Sequence, residues 1–288
     1  MKSISEMTPA EAAGIRYILM DIDDTITMEG KLLASSYAAL WKLQEAGLTV
    51  IPVTGRPAGW CDLIAREWPV DGVVGENGAL VFWEESAGNA VSGEAVPGAG
   101  NTEARYGDSA ARRPRLRTEY HPGAVRNDHP ALGRIRERAL AEFPLLRDAK
   151  DQFARLFDIA LDFAEEEPVL PLSTAERVRE IALEEGAMAK VSSIHVNIWM
   201  GNYDKLSMAE HFLKSRFGWQ PGAGDREVVF VGDSPNDEPM FARFPLACAV
   251  ANIRRYGGLI RHYPAFAAEK ECGEGFAEIA EIILEKRR

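Results

Sequence analysis

Residues 17–20 of this 288-residue chain, Tyr-Ile-Leu-Met, form a short apolar run that ends abruptly in carboxylates at Asp21, Asp23 and Asp24. The run is too short for a helix and has polar flanks, so it predicts a buried strand. The acids would then lie where that strand leaves the sheet, the usual position of ligand sites in open α/β folds. Because several acids at one strand end repel each other unless a cation or protons compensate, the cluster predicts a hard metal ion.

Strand and helix signals alternate over the first 83 residues. Such βαβ alternation predicts a parallel, doubly wound sheet. The predicted elements after the acid cluster are a helix capped by Ser35 and Ser36 and running to Ala46, the strand 48–53, a helix 57–68, and the strands 72–75 and 80–83.

The alternation breaks at Glu84 and returns near residue 198. Residues 84–115, rich in Gly, Ala, Ser and Arg, are predicted to be a long mobile loop or hairpin. Beyond them, helical stretches at about 130–142 and 174–185 mix with strand-like runs, at 156–163 and 187–199, as in a small α+β domain. We therefore predict an α/β fold with a discontinuous core, 1–83 plus 198–288, and an insert at 84–197. The resumed core elements are predicted as a helix 205–217, a strand 228–231, a helix after Pro235, a strand 246–250 and a helix 275–286.

Four chemical features fall at the strand ends of this predicted core. They are the Asp21-x-Asp23-x-Thr25 cluster, the Thr54-Gly55-Arg56-Pro57 turn at a helix start, Lys205 opening a helix, and Gly232-Asp-Ser-Pro-Asn-Asp237 after an apolar strand. Carboxylates hold Mg²⁺, whereas hydroxyl, amide and ammonium donors neutralise phosphoryl oxygens. The set is therefore typical of phosphoryl transfer. An EF-hand calcium loop is excluded, because it would require Gly at Ile26 and Glu at Leu32.

In order and spacing, these features resemble the four motifs of the haloacid dehalogenase superfamily of phosphohydrolases. The insert between the second and third motifs is similar to the branch with a large α+β cap, which includes Cof-type sugar phosphatases, sucrose-phosphate phosphatase and mannosyl-3-phosphoglycerate phosphatase. Phosphomannomutase is a relative of that branch. Residues 76–79, Glu-Asn-Gly-Ala, and residues 273–276, Gly-Glu-Gly-Phe, also resemble this group. The resemblance implies a Rossmann-like parallel-sheet core with an inserted α+β cap that selects the substrate.

The resemblance also implies roles for the motif residues. Asp21 would be the nucleophile that forms an aspartyl-phosphate, and Asp23 would be the general acid and base. Thr54 and Lys205 would bind the phosphoryl group, and Lys205 would also restrain Asp21. The implied metal ligands are Asp21, the Asp23 carbonyl, Asp233 and Asp237, and the implied substrate contacts are Thr54, Gly55, Arg56, Lys205 and Asn236. Asp24, where many relatives have glycine, is expected to face away from the phosphate.

The charge and composition of the chain limit the kinds of partner that it is expected to bind. A net charge of −11 argues against nonspecific binding to nucleic acid or to an anionic membrane. The absence of a signal peptide and of a bilayer-spanning run predicts a cytoplasmic protein, monomeric or homodimeric, that acts on a small-molecule ester. Residues 105–147 include ten arginines and only five acids. This basic excess indicates either a solvated surface or a surface that steers an anionic substrate. Arg117, Arg126, Arg134 and Arg155 are the candidates for substrate contact in the insert.

Some interpretations stay open at this stage. Arg56 is either a substrate contact or a structural ion-pair partner, and His195 and Asn197 have either a structural or a substrate-binding role. The predicted function is Mg²⁺-dependent hydrolysis of a phosphomonoester on a small phosphorylated sugar or sugar acid. Alternatives are a phosphomutase of the phosphomannomutase type and a non-catalytic regulatory domain on the same fold.

Overall fold

A computed structural model of the protein describes residues 1–85, 114–192 and 194–288. In these ranges none of the helices is long and apolar enough to cross a membrane. The described strands are β1 Lys2–Ser3, β2 Tyr17–Met20, β3 Thr27–Met28, β4 Lys31–Leu32, β5 Thr49–Pro52, β6 Val73–Gly75, β7 Leu80–Glu85, β8 Arg115–Tyr120, β9 Arg147–Asp148, β10 Asp158–Asp162, β11 Met188–Val191, β12 His195–Trp199, β13 Val228–Gly232, β14 Cys248–Ala249 and β15 Phe266–Ala267. The described α-helices are α1 Pro9–Gly14, α2 Ala34–Glu45, α3 Ala58–Glu67, α4 Pro130–Glu142, α5 Leu172–Glu184, α6 Lys205–Phe217, α7 Glu238–Arg243 and α8 Cys272–Lys286.

The central sheet has six strands in the order β1-β15-β14-β13-β2-β5, and every pairing in it is parallel. In the middle of the sheet, Ile18 of β2 lies opposite Val229 on one side and Val50 on the other. All four residues of β2 are buried, as expected for a short apolar run covered on both faces. The predicted α/β class with a parallel-sheet core is confirmed.

Beyond β5 the sheet continues through an isolated parallel bridge from Val53 to Val74 into β6, after which β7 and β8 add antiparallel strands. Glu85 of β7 lies opposite Arg115 of β8, so these two strands form the sides of a hairpin. The rest of the predicted loop or hairpin, residues 86–113, lies outside the described residues.

A second sheet, antiparallel and four-stranded, has the order β11-β12-β10-β9. Alternate residues of a strand point to opposite faces, and one face here is apolar. Ile159, Leu161, Val196 and Ile198 pack on that face against α4 and α5 in a separate hydrophobic core. The opposite face carries polar side chains and borders the cavity described below. The single strand-like run 187–199 is therefore two strands, β11 and β12.

The predicted serine cap of helix α2 is wrong. The helix begins at Ala34, and Leu33 occupies the capping position without a side-chain hydrogen bond. Ser35 Oγ instead donates to Glu274 Oε1 at 2.6 Å, and Ser36 is buried with no partner for its hydroxyl in the described structure. Helix α2 packs against helix α8, so this tertiary contact, rather than a local cap, determines where the helix starts.

Candidate active site

The carboxyl ends of three neighbouring strands bring the motif residues to one edge of the central sheet. Asp21 directly follows β2, Asp233 follows β13, and the segment from Val53 to Arg56 follows β5. Because the strands are parallel, these three ends share an edge. Asp21, Asp23, Gly55, Arg56, Lys205, Asp233 and Asn236 all line one cavity there, which encloses about 580 Å³ of space open to solvent.

Three carboxylates lie close together at this edge of the sheet. One oxygen from each of Asp21, Asp233 and Asp237 lies within 4.8 Å of the others, and all three residues are buried. Thr25 Oγ1 donates to Asp233 Oδ1 at 3.2 Å, and Asp237 Oδ2 accepts from the Asp233 amide at 3.1 Å. The hydrogen bonds fix the orientation of the trio.

Burial and like charge disfavour ionisation in this trio. The pKa of Asp21 is raised to about 7, mainly by burial and also by the neighbouring charges of Asp237 and Asp23, against the effect of Lys205. Burial, followed by the charges of Asp237 and Asp21, also raises the pKa of Asp233. A bound cation would oppose these shifts. The donor set is made of oxygen atoms, which fits a hard divalent ion such as Mg²⁺.

Lys205 is the counter-ion of the trio. It is the first residue of helix α6, whose start is held by a capping box between Asp204 and Ser207. Its Nζ lies 2.9 Å from Asp21 Oδ1 and 3.4 Å from Asp237 Oδ1, with a tenth of the lysine side chain exposed. The acids raise the pKa of Lys205 in spite of its burial, so its ammonium stays charged.

Asp23 lies at the cavity wall, outside the carboxylate trio, and is held by Arg56. Arg56 Nη2 is 2.6 Å from Asp23 Oδ1, and Arg56 Nε is 3.0 Å from both oxygens. The guanidinium also stacks on the Trp60 ring, 4.4 Å from its centroid, and lies 3.9 Å from Asp151. Arg56 therefore makes the ion pair expected under one of its two interpretations. This ion pair fixes the side chain of Asp23.

The opposite wall of the cavity comes from the polar face of the four-stranded sheet and its connections. Arg155, with 1% of its side chain exposed, is paired with Asp151 at 3.1 Å and with Asp158 at 2.9 Å. Arg155 Nη1 also donates to the Gly55 carbonyl at 3.1 Å, so it links this wall to the central sheet. Further residues of this wall are Lys190, Ser192, Ile194, His195 and Asn197.

Glu76, which is fully buried, joins the two walls behind the cavity. Its carboxylate accepts hydrogen bonds from the backbone amides of Ala58 at the start of α3 and of Leu156, Phe157 and Asp158 leading into β10, at 2.6–3.2 Å. Burial and the charge of Asp158 raise the pKa of Glu76 to about 7, against the effect of these donors.

Not every predicted residue reaches the cavity. Thr54 is fully buried, its Oγ1 accepts from the Arg56 amide at 3.1 Å, and it does not line the cavity. Asp237 lies behind Asp233 and Lys205. Asp24 also lies outside the lining and has a φ of 54°, a left-handed conformation that glycine adopts without strain.

Of the four arginines predicted as candidates for substrate contact, one lines the cavity and three do not. Arg155 lines the cavity, whereas Arg117 pairs with Glu85, Arg134 pairs with Glu185, and Arg126 stacks over Tyr120 and Phe157.

Asn252 and Lys190 are among the site residues that the sequence analysis missed. Asn252 Nδ2 donates to Asp233 Oδ2 at 3.1 Å and to the Asp24 carbonyl at 3.0 Å, so it connects two of the strand-end loops. Lys190 lines the cavity from β11. For Lys190 the alternation along residues 188–191 was the available signal, since it puts Lys190 on the face opposite Ala189; for Asn252 no local pattern existed.

Comparison with known proteins agrees with this geometry. The sequence matches the profile of the haloacid dehalogenase-like hydrolases over residues 18–97, which include Asp21, Asp23 and the Thr54 turn. The predicted resemblance to this superfamily and the prediction of a hydrolase are both confirmed by this match. A search of characterised proteins finds no significant match.

Solved structures show how far the fold of this hydrolase is shared. A putative HAD/COF-like hydrolase from Plasmodium vivax is 16% identical, with a TM-score of 0.66 over 98% of this chain and 99% of the other. A phosphatase of the haloalkanoate superfamily from Bacteroides thetaiotaomicron is 16% identical, with a TM-score of 0.58 over 99% and 100%. The sucrose-phosphatase from Synechocystis sp. is 14% identical, with a TM-score of 0.54 over 93% and 97%. At these identities the likenesses show the fold, and they confirm the predicted parallel-sheet core with an inserted α+β cap.

Proposed function

We propose that this hydrolase is a Mg²⁺-dependent phosphatase that cleaves small phosphomonoesters through an aspartyl-phosphate on Asp21. The observation that carries the proposal is the setting of Asp21. Its carboxylate opens onto the cavity, is restrained by Lys205 at 2.9 Å, and has Asp23 in the same lining. A fixed nucleophile beside a second carboxyl group is the arrangement that two successive phosphoryl displacements require.

The proposed reaction uses residues on both sides of the phosphoryl group. Asp21 attacks phosphorus while the bond to the ester oxygen breaks, and Asp23 gives that oxygen a proton. Asp23 then takes a proton from water as the water attacks the aspartyl-phosphate, so inorganic phosphate leaves and Asp21 is restored. Lys205 and the backbone at Gly55, with Asn236, would bind the phosphoryl oxygens, and Thr54 would hold this turn through its hydrogen bond with the Arg56 amide.

Asp21 and Asp233 would hold the Mg²⁺ ion together with the Asp23 carbonyl, and Asp237 would be a further ligand or would orient Asp233. The ion, when bound, neutralises negative charge on the phosphoryl group and on Asp21. Asn252 and Thr25 hold Asp233 in place for this role. The set fits the ion by chemistry, since it offers only oxygen donors and includes buried acids whose pKa values are raised without a cation.

We further propose that the predicted division, 1–83 plus 198–288 against 84–197, separates catalysis from substrate selection. The sheet pairings support one adjustment, because β8 joins β6 and β7, so the selective part would begin after Tyr120. Names of similar structures, such as sucrose-phosphatase, support a phosphorylated sugar or sugar acid as substrate. A cytoplasmic monomer or homodimer that acts on such an ester completes the proposal.

Release of inorganic phosphate from a panel of phosphate esters, measured with Mg²⁺ and with excess chelator, tests the function. We expect turnover of several esters with Mg²⁺ and none with the chelator. A phosphomutase would instead convert one hexose monophosphate into its isomer without releasing phosphate. A regulatory domain would do neither, and either result would overturn the proposal.

A further inference from the structure

The cations of the cavity are paired with carboxylates, with one exception among the described residues. Lys205 pairs with Asp21 and Asp237, Arg56 pairs with Asp23, and Arg155 pairs with Asp151 and Asp158. Lys190 also lines the cavity, but no salt bridge or side-chain hydrogen bond joins it to another residue in the described part of the chain. Its ammonium is therefore a cavity cation without a carboxylate partner among the residues that the structure describes.

The fold directs Lys190 towards the cavity. It lies on β11 directly opposite Asn197 of β12, and the neighbouring residues Ala189 and Ile198 pack into the apolar core on the other face. Lys190 also lines a second, smaller cavity with Trp199 and Leu206, so it lies where the two spaces meet. The sheet register, and not a flexible loop, fixes its position.

A half-buried ammonium without a partner is unfavourable, because burial removes water that would stabilise the charge and no counter-ion takes the place of that water. Burial is the main cause that lowers the pKa of Lys190, and the nearby charge of Lys205 adds to it. The amide of Asn197 is held beside Lys190 by its hydrogen bond to Asp158 Oδ2 at 3.1 Å. Together they offer an ammonium and an oriented amide on the wall facing the motif residues.

We propose that Lys190 binds a carboxylate of the substrate, so that the preferred ester is a phosphorylated sugar acid or a shorter phosphorylated hydroxy acid. This inference rests on the proposed phosphatase function and specifies its substrate. A single ammonium matches a single carboxylate in charge, while Lys205 and the metal site would serve the phosphoryl group.

Two matched pairs of esters test the inference: 6-phosphogluconate with sorbitol 6-phosphate, and 3-phosphoglycerate with glycerol 3-phosphate. Each pair differs only by a carboxylate in place of a CH₂OH group. For the wild-type enzyme we expect kcat/KM to be roughly tenfold to a hundredfold higher for the acid in at least one pair. In Lys190→Met the ratio should fall to near one, mainly through KM, and Lys190→Arg should keep most of the preference. Lys150→Met, a change at a lysine with 72% of its side chain exposed, is the matched control and should not change the ratio.

The outcomes separate this inference from the proposed function. If no ester, including para-nitrophenyl phosphate, releases phosphate, the phosphatase function itself is wrong. If esters are cleaved but Lys190→Met lowers kcat/KM equally for acid and alcohol, Lys190 serves the phosphoryl group and the inference is overturned. A preference for sorbitol 1,6-bisphosphate over 6-phosphogluconate would also overturn it, because the second anion would then be a phosphate.

Discussion

The two walls of the cavity differ in how their charges are balanced. The wall built from the central sheet gathers acids, with Asp21, Asp233 and Asp237 close enough to share one ion. The wall built from the four-stranded sheet gathers donors, with Arg155, Asn197 and Lys190 on its polar face. Only the first wall requires a cation to be stable as an ionised cluster, and only the second leaves a cation without a partner among the described residues.

This difference has a structural cause. Strand ends of a parallel sheet can bring short loops from several parts of the chain to one point, which suits a fixed catalytic group. The face of an antiparallel sheet instead presents one side chain at every second position, so single substitutions there alter the lining without moving the backbone. We therefore expect chemistry to fail when the first wall is changed and selectivity to change when the second wall is changed.

The largest effect is expected for Asp21→Asn, which removes the nucleophile. Phosphate release should fall roughly 10⁴-fold, since no other residue replaces the attacking carboxylate. The melting temperature should hold or rise, because one of three crowded acids is gone.

Asp24→Asn is the matched control for that variant. It makes the same chemical change three residues away, outside the cavity lining, and asparagine tolerates the φ of 54° found there. Its activity should stay within roughly tenfold of wild type. Comparable activity of Asp21→Asn and wild type would show that the acidic wall does not supply the nucleophile.

Removal of the metal should have the next largest effect. In excess chelator, phosphate release should fall roughly a thousandfold and return with Mg²⁺, while Ca²⁺ should inhibit because it accepts more ligands at longer distances. Mg²⁺ should also raise the melting temperature, because it binds only the folded trio, and Asp233→Asn should reduce that rise. Full activity in the chelator would refute the metal role of this wall.

The sequence predicted the acidic wall far better than the donor wall, for a physical reason. At Asp21 and Asp233, an apolar run directly followed by acids predicts both a strand and the residue at which it ends. Asp158 meets Asn77 and Asn197 through tertiary contacts between separate elements, for which no local pattern exists. For the arginine excess at 105–147, the sequence left a solvated surface and a steering surface open, and Arg117 and Arg134 are paired with acids at the surface.

A buried ion pair should matter for stability where a surface pair does not. Arg155→Met leaves the buried carboxylate of Asp158 without its counter-ion and leaves Asp151 with Arg56, 3.9 Å away, so the free energy of unfolding should fall by about 3 kcal/mol. Arg117→Met, which breaks a pair with 47% of the arginine side chain exposed, should cost less than about 1 kcal/mol. Urea denaturation measures both, and equal losses would mean that the contact between the two walls does not depend on the Arg155 ion pairs.

The smallest predicted effect distinguishes the two interpretations of Arg56. Lysine at this position keeps the charge but cannot hold both oxygens of Asp23 in the two-nitrogen contact that the guanidinium makes. If Arg56 positions Asp23 for proton transfer, Arg56→Lys should lower kcat roughly tenfold with little change in KM. Arg66→Lys is the matched control, because Arg66 lies on helix α3, which begins just after Arg56, and holds Asp62 at 2.8 Å at the surface, away from the cavity. A raised KM with an unchanged kcat would instead make Arg56 a substrate contact, and the acidic wall would then share in binding as well as in chemistry.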